Sequence, residues 1–209
     1  MVNALLDQIG VRRLVPVVVL DDPAHAGPLA EALVAGGLPV AEVTFRTRAA
    51  VAAITAMSAR GDMLVGAGTV LTPEQVDAAV DAGASYIVSP GLDADVVRRC
   101  RERGVLPLPG VVTATEIQAA IALGLEAVKF FPAAVSGGAP AIKALSAPFT
   151  GLKFVPTGGI GPNNLAEYIA LPSVLAVGGS WMVPRAAIAA GDFARIATLT
   201  AEAVLMAAA

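Results

Sequence analysis

A chain of 209 residues, 56% hydrophobic and with mean hydropathy +0.73, can bury one large core and fits one α/β barrel domain spanning 1–209. Its net charge is −3 and its arginines are dispersed, which gives neither a nucleic-acid surface nor a polybasic membrane patch. The expected partners are small molecules or further copies of the chain.

The chain opens on MVNALLDQIGVRR, whose arginines follow the apolar residues and whose Asp7 lies among them, the reverse of a secretory signal. The cytoplasm is therefore the expected location. Short β-branched runs then alternate with alanine-rich helical stretches about every 20 to 25 residues. The runs are LVPVVVL (14–20), PVAEVTF (39–45), MLVGAG (63–68), SYIVS (85–89), VLPLPG (105–110), EAVKFF (126–131), KFVPTGG (153–159) and VLAVGGS (174–180). Several of the stretches between them open on capping signals, such as Thr72-Pro73-Glu74-Gln75 and Thr113-Ala114-Thr115-Glu116, and several close on glycine. After the eighth run comes one longer helical stretch, PRAAIAAGDFARIATLTAEAVLMAAA. Eight runs predict a closed (β/α)8 barrel over a doubly wound open sheet, which usually has fewer strands. The uncharged segment from Tyr168 to Pro184 contains Pro172, Ser173, Gly178, Gly179 and Ser180, and reads as a strand with its loops, not a membrane span. Cys100, the single cysteine, sits in a helical stretch without a disulfide partner and reads as a structurally indifferent thiol.

Chemistry in such barrels gathers at the carboxyl ends of the strands, so polar residues late in each run become the candidates. In the second run Glu42, Thr44 and Arg46 fall at i, i+2 and i+4, on one strand face, with Val43 and Phe45 on the other. The plain alternative is a Glu–Arg pair satisfied at the rim. The third run ends Gly66-Ala67-Gly68-Thr69, where glycine allows close backbone approach and Thr69 offers a hydroxyl, though a simple turn would read the same way.

Only three lysines occur, and Lys129 alone lies late in a strand. Lys143 reads as a solvated helix residue, and Lys153 opens the seventh run near its amino end. Flanked by Val128, Phe130 and Phe131, the Lys129 ammonium loses hydration, which makes the neutral amine accessible. A neutral amine can attack a ketone and form an imine. The alternative is a lysine whose stem packs in the barrel while its head pairs with Glu42 or Glu126. The last two runs end in Pro156-Thr157-Gly158-Gly159 and Gly178-Gly179-Ser180, so backbone N–H groups can converge on an anion where barrels often hold phosphate.

Together EVTFRT (42–47), GAGTVLTPEQ (66–75), SPGLDADV (89–96), KFFPAA (129–134), PTGGI (156–160) and GGSWMVP (178–184) resemble the 2-keto-3-deoxy-6-phosphogluconate aldolases, which often also act on 4-hydroxy-2-oxoglutarate. The resemblance covers nearly the whole chain. It implies a class I, Schiff-base lyase of the Entner–Doudoroff pathway, built as a homotrimer, with no cofactor and no metal. Residue by residue, it implies Lys129 as the imine-forming lysine and Glu42 as the general acid/base acting through a water. Arg46 and Thr69 would hold the pyruvoyl carboxylate, Pro90 and Phe131 would shape the pocket, Gly158, Gly159 and Ser180 would form the phosphate side, and Thr157 and Gly179 would count among the substrate-binding residues.

One departure stands out. Relatives often carry a cation just after the first strand, near the phosphate, where this chain has Asp21-Asp22. That keeps the unphosphorylated 4-hydroxy-2-oxoglutarate open as substrate beside the sugar acid phosphate. Two other classes also stand. A metal-dependent aldolase needs clustered His, Asp or Glu, and the one histidine, His25, reads as a solvated residue at a helix start. A non-catalytic sugar-phosphate-binding barrel would need the glycine loops without Lys129 and Glu42.

Overall fold

The structure is a computed structural model and describes residues 2–208. Helix α1 (Val2–Arg12) precedes β1 (Leu14–Val18), and a short 3-10 turn, Pro23–His25, leads into α2 (Ala26–Ala35). The chain continues through β2 (Val40–Thr44), α3 (Ala50–Ser58), β3 (Leu64–Gly68), α4 (Pro73–Asp81), β4 (Tyr86–Ser89) and α5 (Ala94–Glu102). Next come β5 (Leu106–Val111), α6 (Ala114–Ala122), β6 (Ala127–Phe130), α7 (Gly138–Ser146), β7 (Lys153–Pro156), α8 (Leu165–Ile169) and β8 (Val177–Gly179). Two helices, α9 (Arg185–Ala189) and α10 (Phe193–Ala208), end the chain.

All eight predicted runs contain a strand, and every neighbouring pair is parallel in the order β7-β6-β5-β4-β3-β2-β1-β8. Bridges Phe154↔Val174 and Thr157↔Gly178 join β7 to the eighth run and close the ring. The fold is thus the (β/α)8 barrel that the alternation predicts. Tyr168 to Pro184 holds the end of α8, β8 and their loops, and no described helix is long and apolar enough to cross a membrane.

The caps sit where the sequence puts them. Thr113 accepts from the Glu116 N–H while the Glu116 carboxylate accepts from the Thr113 N–H, a reciprocal capping box. At α4, Thr72 accepts from the Gln75 N–H, and the Gln75 side chain reaches one residue further back, to the Leu71 N–H. One feature differs from expectation and one is left open by the sequence. The C-terminal stretch is broken in two at Gly191, whose φ of 70° leaves the helical region, and Asp192 then accepts from the Arg195 N–H to start α10. The opening segment forms α1 and buries Leu6 and Ile9, an i, i+3 pair that gives it a core-facing side.

Inside the ring, side chains from alternating strand positions fill the axis. Val15, Glu42, Tyr86, Val88, Leu108, Lys129, Val155 and Thr157 surround a void of only about 10 Å³. The interior is a packed core and not a channel, as expected for eight strands. Polar groups inside it therefore stand out.

Candidate active site

Lys129 on β6 and Glu42 on β2 lie four strands apart in a ring of eight, so they face each other across the axis. The barrel is narrow enough for them to meet. Lys129 Nζ is 3.2 Å from Glu42 Oε1, with the two side chains 7% and 3% exposed. The register explains the alignment: Glu42 pairs with Gly66 on β3 and Val17 on β1, and Lys129 pairs with Gly110 on β5 and Val155 on β7. Both side chains point inward at the same level.

The apolar surroundings of the amine differ from the sequence expectation. Strand alternation sends Val128 and Phe130 to the helix-facing side, where both are fully buried. Of the three flanking residues only Phe131, beyond the strand end, meets the amine, with Nζ 4.9 Å from its ring centroid. Glu126 is exposed and faces away, so Glu42 is the acid that Lys129 finds.

Space for Glu42 comes from β3. A Cβ on Gly68 would lie 2.3 Å from Glu42 Oε1, and one on Gly66 would lie 2.3 Å from the Tyr86 ring. Sequence reading gave these glycines close backbone approach to a ligand. Their first consequence is room for two inward side chains from neighbouring strands. Tyr86, fully buried, donates its hydroxyl to the Ala41 carbonyl at 2.8 Å and so ties β4 to the residue preceding Glu42. Burial, with the Glu42 charge nearby, pushes its phenol well above the usual tyrosine range, so it stays a donor. Thr44 spends its hydroxyl on the Val18 carbonyl at 2.9 Å, so Glu42, turned to Lys129, and Arg46 are the polar groups of that face directed at the interior and the cleft.

Above the pair opens a cleft of about 300 Å³, lined by Val17, Val19, Arg46, Phe131, Thr157 to Ile160, Gly179 and Ser180. Thr157 lines both the cleft and the small void holding Lys129 and Glu42, so it marks their junction. Arg46 lies past the end of β2, exposed, and makes no ion pair among the described residues. The glycine loop after β7 turns through φ values of 101° at Gly158 and 73° at Gly159, which favour glycine. It is pinned from both sides: Ala133 and Ala134 donate N–H groups to the Thr157 and Gly158 carbonyls, and the Asn164 amide donates to the Gly159 carbonyl. At β8, added Cβ atoms would strike Thr157 at Gly178 and the Trp181 ring at Gly179, so this glycine pair also answers to packing.

Two predicted residues stand apart from that cleft. Thr69 follows β3 at φ 59°, a left-handed conformation uncommon for threonine, and Pro90 follows β4 with its carbonyl against Gly110. Both are at the carboxyl ends of their strands, but neither lines the cleft. His25 is half-buried: it closes the 3-10 turn with its ring edge-on to Phe193, centroids 5.7 Å apart. Cys100 is fully buried, and burial pushes its thiol up to about 12, which makes it inert as expected.

Sequence reasoning missed one element of the mouth. Asp21 does not stand as a bare acid: its carboxylate takes two hydrogen bonds from Arg185, at 2.8 Å from Nε and 2.6 Å from Nη2, across 164 residues of sequence. The pairing holds the Asp21 carboxyl below its ordinary range. No local signal links the two positions.

Comparison with known proteins agrees with this geometry. The model of the family "KDPG and KHG aldolase" matches residues 6–199. A 2-dehydro-3-deoxy-phosphogluconate aldolase of Treponema pallidum (strain Nichols) is 52% identical over 191 residues, 91% of each chain. A crystal structure of KDPG aldolase from Legionella pneumophila, with pyruvate captured at low pH as a covalent carbinolamine intermediate, superposes with a TM-score of 0.91. It is 40% identical and covers 94% of this chain and 97% of that one. The 2-keto-3-deoxy-6-phosphogluconate aldolase of Zymomonas mobilis ZM4 with 3-phosphoglycerate gives a TM-score of 0.88 at 45% identity, covering 95% of this chain and 94% of that one. An amine and a carboxylate facing each other beneath an open cleft, on a chain this similar throughout, place the protein in the KDPG and KHG aldolase family.

Proposed function

We propose that the protein is a class I aldolase that cleaves 2-keto-3-deoxy-6-phosphogluconate into pyruvate and glyceraldehyde 3-phosphate through an imine on Lys129. The observation that carries this reading is the buried Lys129 Nζ, 3.2 Å from Glu42 Oε1, directly beneath the cleft. In the resting protein the pair is the salt bridge that sequence reading offered as the alternative to catalysis. The two readings are compatible. Before it can attack, the ammonium must lose a proton, and Glu42 Oε1 is the acceptor within reach.

The amine adds to the C2 ketone; Glu42 then returns the proton to the carbinolamine hydroxyl, which leaves as water to give the iminium and restores the carboxylate. Glu42, acting through a water, takes the C4 hydroxyl proton as the C3–C4 bond breaks, and the bonding pair passes into the enamine. Glyceraldehyde 3-phosphate leaves. Protonation of the enamine carbon by the same acid and hydrolysis of the pyruvate iminium then restore Lys129. Arg46, which lines the cleft, holds the carboxylate through its guanidinium fork; a part for Thr69 beside it rests on the family resemblance alone, since Thr69 stands apart from the cleft lining. Phe131 bounds the pocket, with Pro90 given to it by the family resemblance alone, while Gly158, Gly159 and Ser180 receive the phosphate end and Thr157 and Gly179 line the same cleft. The family description also names KHG, so 4-hydroxy-2-oxoglutarate is the second substrate of the same site. We further propose a homotrimer in the cytoplasm, formed by one (β/α)8 domain per chain, in line with the family resemblance. Borohydride reduction with pyruvate, followed by peptide mass mapping, tests the core claim: the adduct is expected on the peptide containing Lys129, and its absence sinks the imine route.

A further inference from the structure

A second cavity adjoins the cleft. Val19 forms part of its wall and also lines an adjoining cavity of about 180 Å³ bounded by Asp21, Asp22, His25, Arg185, Ile188 and Ala189. Arg185 comes five residues after Ser180, and between them Met182 and Val183 are buried and anchor the backbone. Arg185 thus lines the cavity that shares the Val19 wall with the cleft of the proposed phosphate loop. A substrate with an anionic group at each end needs a cation for each. Arg46 is the one arginine lining the cleft itself, and Arg185 is the one beside it.

The Arg185 fork is occupied by Asp21 through two hydrogen bonds, but the side chains are 63% and 50% exposed. An ion pair so wet adds little stability and is open to exchange. A phosphate dianion offers the same two-oxygen geometry with more charge, which favours it over a carboxylate as partner of a guanidinium. Asp22 is otherwise engaged, accepting from the Ala24 N–H to cap the 3-10 turn, and His25 packs on Phe193. Asp21 alone competes for Arg185.

We infer that Arg185 is a specificity-determining residue that exchanges Asp21 for the terminal phosphate of the substrate, so that the Asp21–Arg185 pair sets the preference for phosphorylated over unphosphorylated 2-keto acids. The inference rests on the aldolase reading above. The two members of the pair then act with opposite signs: Arg185 attracts the phosphate, and Asp21 holds it off by occupying the fork. A pair that served only to clamp the two loops would lose the same thing whichever partner was removed.

The test compares kcat/KM for 2-keto-3-deoxy-6-phosphogluconate with that for 4-hydroxy-2-oxoglutarate in the wild type, Arg185→Ala and Asp21→Asn. The ratio is expected to fall about tenfold in Arg185→Ala, the loss of one charge-assisted contact at an exposed site, and to rise a few-fold in Asp21→Asn, with the changes carried by KM. Arg185→Lys should recover part of the loss, since it restores the charge without the fork. Ratios that move in the same direction in both single variants, or that do not move, overturn the exchange and leave a loop clamp. Wild-type protein that releases pyruvate from neither substrate would defeat the aldolase reading instead, so the two failures are distinct.

Discussion

Two sets of charges in this barrel show how environment separates chemistry from scaffolding. On the outer surface, Asp77 of α4 receives a two-pronged contact from Arg99 of α5, both hydrogen bonds 2.9 Å, and a further one from Arg103, which also pairs with Asp81. All are partly or largely exposed. On the axis, Lys129 and Glu42 form one lone contact of 3.2 Å with almost no exposure. The outer network has better geometry and gives up little hydration. The inner pair gives up nearly all its hydration for a poorer contact, so an apolar pair of equal volume would serve stability as well or better. A fold that keeps such a pair in its core keeps it for something other than stability.

Breaking the inner pair should therefore act first on turnover. Lys129→Met, which preserves volume, removes the proposed nucleophile and should lower kcat by on the order of 10⁴-fold or more, with the borohydride adduct lost. It also leaves Glu42 buried without its cation, a cost of about 3–5 kcal/mol. Chemical denaturation measures that cost separately from the loss of turnover. Glu42→Gln should reduce kcat by roughly 10²- to 10⁴-fold while pyruvate trapping on Lys129 survives. Full turnover in that variant would remove Glu42 from the proton path.

Gly68→Ala sharpens the comparison because it changes no charge. The new methyl would sit 2.3 Å from Glu42 Oε1 with the packed axis around it, so the carboxylate must move. A displacement near 1 Å at a catalytic group costs about 10² in rate. The expected result is a loss of that order in kcat with the KM for substrate little changed. A variant as active as the wild type would mean that Glu42 has other room.

These residues differ in how much of their role the sequence carries. The strands were legible because β-branched runs, glycine ends and helix caps recur in step, and each cue is local. Lys129 and Glu42 were legible for the same reason: late in a strand of an eight-stranded barrel, a polar side chain has nowhere to point but the mouth or the axis. The work of Gly66 and Gly68 was not, because the atoms that need their space belong to Tyr86 and Glu42 on adjacent strands. Flanking residues misled in the same way at Lys129, where sequence neighbours Val128 and Phe130 face the helices and the true neighbour lies 87 positions away. Asp21 looked like an acid in the wrong place until the closed ring brought Arg185 beside it. Local cues give elements and directions; ring closure decides which directions meet.

The outer network should respond to mutation most weakly, and with a definite pH signature. Hydrogen bonds from Arg99, then from Arg103, hold the Asp77 carboxyl below its ordinary range, so folding favours the charged form. A carboxyl lowered in the folded state contributes its full share of stability above the unfolded value near 3.9, and that share disappears as pH falls through the lowered folded value. Asp77→Asn should accordingly lower Tm slightly at pH 7, leave kcat unchanged, and converge on the wild type as both are titrated down through the carboxylate range. The exposure of the ion pairs makes the neutral-pH difference shrink in high salt as well. If the Tm gap instead persisted unchanged in acid, Asp77 would be supporting α4 against α5 through its shape and hydrogen bonds alone, and the contrast with the buried pair would rest on burial, not on charge.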